Sequence, residues 1–115
     1  TTEDLARIER AAREVEVAGV DGDLAEVTAA NRSFHFLLFD AAGLPRLSRT
    51  LRQLWDATDV YRSVYFAAAD NRQRVIDEHE QLITALRAGD ADAAISAQAT
   101  HRDHSVHTVS AALTR

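Results

Sequence analysis

Apolar residues recur along this chain at intervals of three and four almost from end to end, and no run shows the period of two that a half-buried strand requires. The pattern predicts an all-α fold, an antiparallel helical bundle of about five to six helices. Leu5, Ile8, Ala12 and Val15 form a narrow heptad-like seam on a first helix from about Thr2 to Ala18, closed by "GVDGD", where Gly19 and Gly22 punctuate the turn. Asp23 and Glu26 have the spacing of a capping box and open a second helix. Leu24, Val27, Asn31, Phe34, His35 and Leu38 share one face of it, while Phe36, Leu37 and Phe39 add apolar surface around the back, so this helix is expected to be central.

"AAGLPRL" ends the second helix: Gly43 suits a left-handed cap, and Pro45 suits a first turn, where its missing N–H costs nothing. The third helix, about Arg46 to Phe66, carries Leu51, Trp55, Thr58, Arg62 and Tyr65 on one stripe. A fourth, about Asn71 to Ala88, turns Val75, Ile76, His79, Leu82, Ile83 and Leu86 inward and stops at Gly89, and Asp90 starts the next. In that last helix, about Ala91 to Leu113, a seam of Ile95, Val106, Val109 and Leu113 adjoins a face of small residues that includes Ala94, Ala97 and His101. No internal repeat or low-complexity linker divides the chain, so residues 1–115 are expected to form one domain.

Composition narrows the function. With 115 residues, 46% of them hydrophobic, the chain suits a single domain with a modest core. Charges interrupt every window of about twenty residues, so no transmembrane span is expected, and nothing reads as a secretory signal. The absence of Cys removes disulfide and thiolate chemistry and fits a reducing cytoplasm. A formal charge of -5 argues against nucleic acid binding by this segment, which would need a basic stripe to displace counterions.

The stretch "NRSFHFLLFD" then raises a chemical question, because it sets an amide and an imidazole on the most apolar face of the chain. Asn31 and His35, four residues apart, differ by only some 40° around a helix and can point at one spot. His79 and His101 lie on or beside the inward faces of two other helices. Any one of these histidines alone is ordinarily a hydrogen-bonded core residue. Three together would be costly to desolvate without a shared partner, and a divalent cation at the centre of a bundle is such a partner. Asn31 either joins them as a ligand, or merely orients His35 or bonds a backbone carbonyl. The tract "HRDHSVH" also offers His104 and His107; His104 is an alternative to His101, and the small neighbours Ala94 and Ala97, with Gln98, favour His101.

The blocks "NRSFHFLLFDAAGLPRLSRTLRQL", "DEHEQLITALRAGDADAA" and the later His101 resemble, in order and spacing, the FCD (FadR C-terminal-type) domain of GntR-family transcriptional regulators. The resemblance covers most of the chain from about Asp23. It implies a helical bundle with an effector pocket and a metal held by Asn31, His35, His79 and His101, with Asn31 standing where the family more often has Asp. It also implies a homodimer, an earlier helix with a ligand-meeting Arg, and an N-terminal winged helix-turn-helix that binds DNA. Neither of those last two segments is expected within this chain, which reads as the sensor part of a longer regulator.

Three neutral imidazoles and an amide leave a divalent ion its full positive charge, so open coordination positions should favour anions. Zinc is the first candidate, with nickel or another divalent transition metal as alternatives. Arg62 is the expected second anchor for a small carboxylate effector, since guanidinium grips carboxylates with paired hydrogen bonds. Trp55, Tyr65 and Phe66 are expected first as core and then as pocket walls. The first helix's seam is a candidate homodimer surface. A metal-dependent hydrolase is the rival reading, with Asp77, Glu78 and Glu80 as imaginable bases; their angles around the helix predict that they face solvent. A metal-free helical dimerisation module is the third reading.

Overall fold

The computed structural model describes residues 1–21 and 23–114, with backbone only at Asp21. Five helices form the fold: α1 (Thr2–Asp21), α2 (Leu24–Ala41), α3 (Pro45–Phe66), α4 (Ala69–Arg87) and α5 (Ala91–Leu113), with no strand among the described residues. Cap chemistry sets most of their ends. The Asp23 carboxylate accepts from the N–H groups of Ala25 and Glu26 at 3.0 and 3.2 Å, satisfying two orphan donors of α2. Asp90 does the same for Ala93 at 3.0 Å at the start of α5. Gly43 and Gly89 turn the chain after α2 and α4 with φ of 72° and 67°, a region where a side chain would be strained.

Two ends depart from the expected boundaries. Gly19 lies within α1, which continues to Asp21; Gly22, the other glycine of the expected turn, falls outside the described residues. A helical glycine costs about 1 kcal/mol relative to Ala. Burial of Ala18 and the approach of Ile76 to this turn offset that cost. α4 begins at Ala69 rather than near Asn71 because Asn71 serves the preceding helix: its Nδ2 donates to the Tyr65 carbonyl at 2.9 Å, and Arg72 donates to that of Phe66 at 2.8 Å. Side chains of α4 thus cap α3, whose end has no glycine.

α1 packs on α2 and α4, α2 on α3, and α5 on α3 and α4. Ile8, Ala12 and Val15 are buried in one core with Val27, Phe34, Leu82 and Ile83. Arg13 with Glu80 at 2.9 Å and Arg87 with Glu9 at 2.7 Å tie α1 to α4 at the surface, where such pairs add little. The α1 seam is therefore consumed inside the chain, which corrects its assignment as a dimer surface. The α5 seam is corrected in three of its four residues: Ile95, Val106 and Leu113 are 69%, 60% and 59% exposed, while Val109 of the seam packs against the core with Ala94 and Ala97 of the small face. Small side chains let α5 approach its neighbours, and that face wins over the bulkier one. Leu24, expected inward, is also exposed.

One spacing defines the interior. Among the described residues, no Cα of α2 lies within 8 Å of a Cα of α4 or α5. α2 faces those helices across a gap that side chains must fill, and Phe34, His35, His79 and His101 fill it.

Candidate metal centre and adjoining cavity

α2 contributes Asn31 and His35, α4 contributes His79 and α5 contributes His101; all four are buried. One ring nitrogen from each histidine falls within a cluster whose members are no more than 4.8 Å apart. The Nε2 atoms of His35 and His101 face each other at 3.2 Å. His79 stacks on Phe34, itself 0% exposed, with centroids 4.0 Å apart.

Burial holds His35 and His79 well below the ordinary imidazole pKa, and their mutual repulsion with His101 adds to it. His101 is also lowered by burial, against the opposing pull of Glu78. All three rings are thus neutral near pH 7, the form in which imidazole offers a lone pair. Their hydrogen-bonding needs are unmet: His35 Nδ1, both nitrogens of His79 and Asn31 Oδ1 have no partner among the described residues. Each such atom costs about 1–3 kcal/mol, against a total stability of roughly 5–15 kcal/mol for a domain.

This donor set fits a divalent transition metal. Metal–nitrogen bonds of about 2.0–2.1 Å place two tetrahedral ligands roughly 3.3 Å apart, close to the His35–His101 separation of 3.2 Å. Asn31 Oδ1 and one ring nitrogen of neutral His79 offer lone pairs that no partner takes up among the described residues.

A cavity of ≈ 380 Å³ adjoins the cluster, lined by Asn31, His35 and His101 together with Trp55, Arg62, Tyr65 and Phe66. His79 is not among its lining residues. Arg62 is half-buried, and burial lowers its pKa from the ordinary value. Its guanidinium carbon sits 3.6 Å from the Trp55 ring centroid, and Nη1 donates to the Trp55 carbonyl at 3.2 Å and to Thr58 Oγ1 at 3.0 Å. The head is therefore held in place rather than reaching into solvent. No carboxylate forms an ion pair with it among the described residues. The Trp55 indole N–H is likewise buried without a partner. Tyr65 and Phe66 are buried and line the cavity.

Glu78 was expected to face solvent and does not. It is 5% exposed, and its carboxylate accepts from Nδ1 of His101 at 3.2 Å and Nδ1 of His104 at 2.6 Å. Its position three residues after Val75 and four before Leu82 was the available signal, since both are core residues on the same stripe. α4 packs against α1, α3 and α5, so its buried arc is wider than the His79-centred wedge from which the angles were measured. Asp77 is exposed and Glu80 pairs with Arg13, as solvent-side groups do. His104 and His107 are exposed, although His104 reaches inward to Glu78.

The FCD domain family matches residues 1–104, which include every residue of the cluster. The chain belongs to the FCD domain family, the effector-binding domain typical of GntR-family regulators. Domains of this family sense ligands rather than catalyse reactions, so the chain is non-enzymatic. No curated protein and no solved structure matches it. Among the described residues, no helix is long and apolar enough to cross a membrane.

Proposed function

We propose that this domain senses a small organic acid at a metal centre, with His35, His79 and His101 as nitrogen ligands and Asn31 as an oxygen ligand. The observation that carries the reading is the convergence of three buried imidazoles, with His35 Nδ1 and both nitrogens of His79 left without partners among the described residues. When bound, a divalent ion, zinc first, supplies a positive charge that an anion entering the cavity can meet. Arg62 holds the other end of the acid or a second carboxylate, with its approach fixed by the Trp55 ring and Thr58. Trp55, Tyr65 and Phe66 enclose the apolar body of the ligand and exclude water.

Cavity-lining residues come from α2, α3, α4 and α5, so an acid that binds one packing of these helices better than another shifts the domain toward it. Such a shift regulates DNA binding by a winged helix-turn-helix outside this segment, whose own charge of -5 offers no phosphate-binding stripe. The regulator acts as a homodimer in the cytoplasm, pairing through apolar side chains left outside the core, such as that of Ile95 on α5.

Thermal unfolding of metal-free protein, with zinc and then a panel of small mono- and dicarboxylates added, tests the reading. Zinc raises the melting temperature, a carboxylate raises it further, and the carboxylate effect disappears without zinc. Ligand at a hundred times its dissociation constant stabilises by about 2.7 kcal/mol, an effect the melting curve resolves. No response to any divalent transition metal, and none to chelation, contradicts the proposal.

A further inference from the structure

A buried carboxylate among histidines needs an explanation of its own. Glu is almost never fully buried unless paired, and among the described residues the pairs Glu78 makes are with two imidazoles and no arginine. The three clustered imidazoles carry no formal charge when neutral, and the Glu78 carboxylate that contacts one of them carries one.

Resting on the metal-centre reading above, we infer that Glu78 is the positioning and charge-balancing residue of this site: it fixes the His101 ring through Nδ1, turns Nε2 toward His35, and supplies the negative charge that Asn31 lacks. The hydrogen-bond chemistry is directional. A carboxylate only accepts, so the proton on His101 sits at Nδ1 and the lone pair at Nε2. His104, three residues along the same face of α5, holds the second carboxylate oxygen at 2.6 Å and keeps Glu78 from rotating away. Outer carboxylates of this kind orient a ligating imidazole and raise its basicity. Here the partner also restores the single negative charge that a carboxylate in place of the Asn31 amide would have brought to the ion.

The test uses the whole 115-residue chain. Zinc affinity is measured by competition with a chromophoric chelator for the wild type, Glu78→Gln, Asn31→Asp and the double variant, with circular dichroism confirming helical content. Nitrogen NMR of the imidazole rings reads the His101 tautomer in metal-free wild type, which requires no variant to fold. Glu78→Gln weakens zinc about 10- to 100-fold, and Asn31→Asp restores affinity more in the Glu78→Gln background than it adds to wild type. The His101 proton is found on Nδ1. An unchanged affinity in Glu78→Gln, no preferential rescue by Asn31→Asp, or a His101 proton on Nε2 overturns the inference while leaving the metal centre standing. A wild type that binds no zinc overturns both.

Discussion

His35 and His101, from helices whose backbones stay more than 8 Å apart, bring their Nε2 atoms to 3.2 Å. Two neutral imidazoles at this distance either share one proton or turn both lone pairs toward a common cation, and the orphaned nitrogens of His79 beside them favour the second arrangement. His35→Ala and His101→Ala are therefore each expected to abolish zinc-induced stabilisation in a thermal-shift assay. His104→Ala retains a zinc response, because its Nδ1 is engaged by Glu78 rather than by the cluster. A zinc response that survives His101→Ala and vanishes in His104→Ala would reverse the assignment of the α5 ligand.

His79 carries the clearest conflict between stability and function. Both of its nitrogens are buried without partners, and its ring lies against Phe34. In metal-free protein, His79→Leu removes two unsatisfied polar atoms at similar volume and loses the ring's stacking on Phe34, and a net increase in unfolding free energy of about 1–3 kcal/mol is expected. Urea denaturation measures it. The same variant loses its stabilisation by zinc; a destabilised metal-free variant would mean that the ring has partners in the metal-free protein.

The acid side of the stability profile follows from the three depressed imidazoles. In the unfolded chain these rings protonate near pH 6.5, whereas burial keeps those of the folded chain neutral to lower pH. The unfolded state therefore binds more protons below that pH, and stability falls as pH drops. Metal-free protein is expected to unfold at progressively lower urea concentration as pH falls from about 7 toward the depressed pKa values, with the slope reduced in the His79→Leu variant. Equal midpoints across that window would show that the rings protonate freely in the fold.

Arg62 separates anion binding from metal binding. Its guanidinium lies on Trp55 and makes no ion pair, and it is not one of the clustered ring donors. Arg62→Ala is expected to weaken carboxylate binding roughly 10- to 100-fold, the worth of about 1.5–3 kcal/mol for a charged hydrogen bond. Zinc affinity remains unchanged. Arg62→Lys does not restore the lost affinity, since an ammonium cannot reproduce the planar stack and fork. Isothermal titration of each variant with zinc and then with a carboxylate from the panel checks both statements.

Much of this architecture was legible in the sequence because local chemistry decides it. Asp23, Asp90, Gly43, Gly89 and Pro45 mark helix ends through caps and turns that act within a few residues. The convergence of His35, His79 and His101 was legible because each sits on its own helix's apolar stripe, and stripes must meet in a bundle. What the pattern could not rank was competition between faces. α5 has a bulky face and a small one, and only the packing of α3 and α4 selects the small one. The α1 seam looked narrow enough to serve a partner chain because its own pattern does not say whether α2 and α4 or a second chain cover it. Glu78 escaped for a related reason: a charged residue beside a histidine reads as a solvated flank unless the width of the buried arc is known.

Anomalous diffraction at the zinc edge, from crystals grown with zinc and a carboxylate identified by the panel, tests the central claim most directly. The expected result is one strong peak about 2.0–2.1 Å from a ring nitrogen of each of His35, His79 and His101, with the acid between that peak and Arg62. A cluster without a peak, or zinc bound only at the exposed His104 and His107, would contradict it.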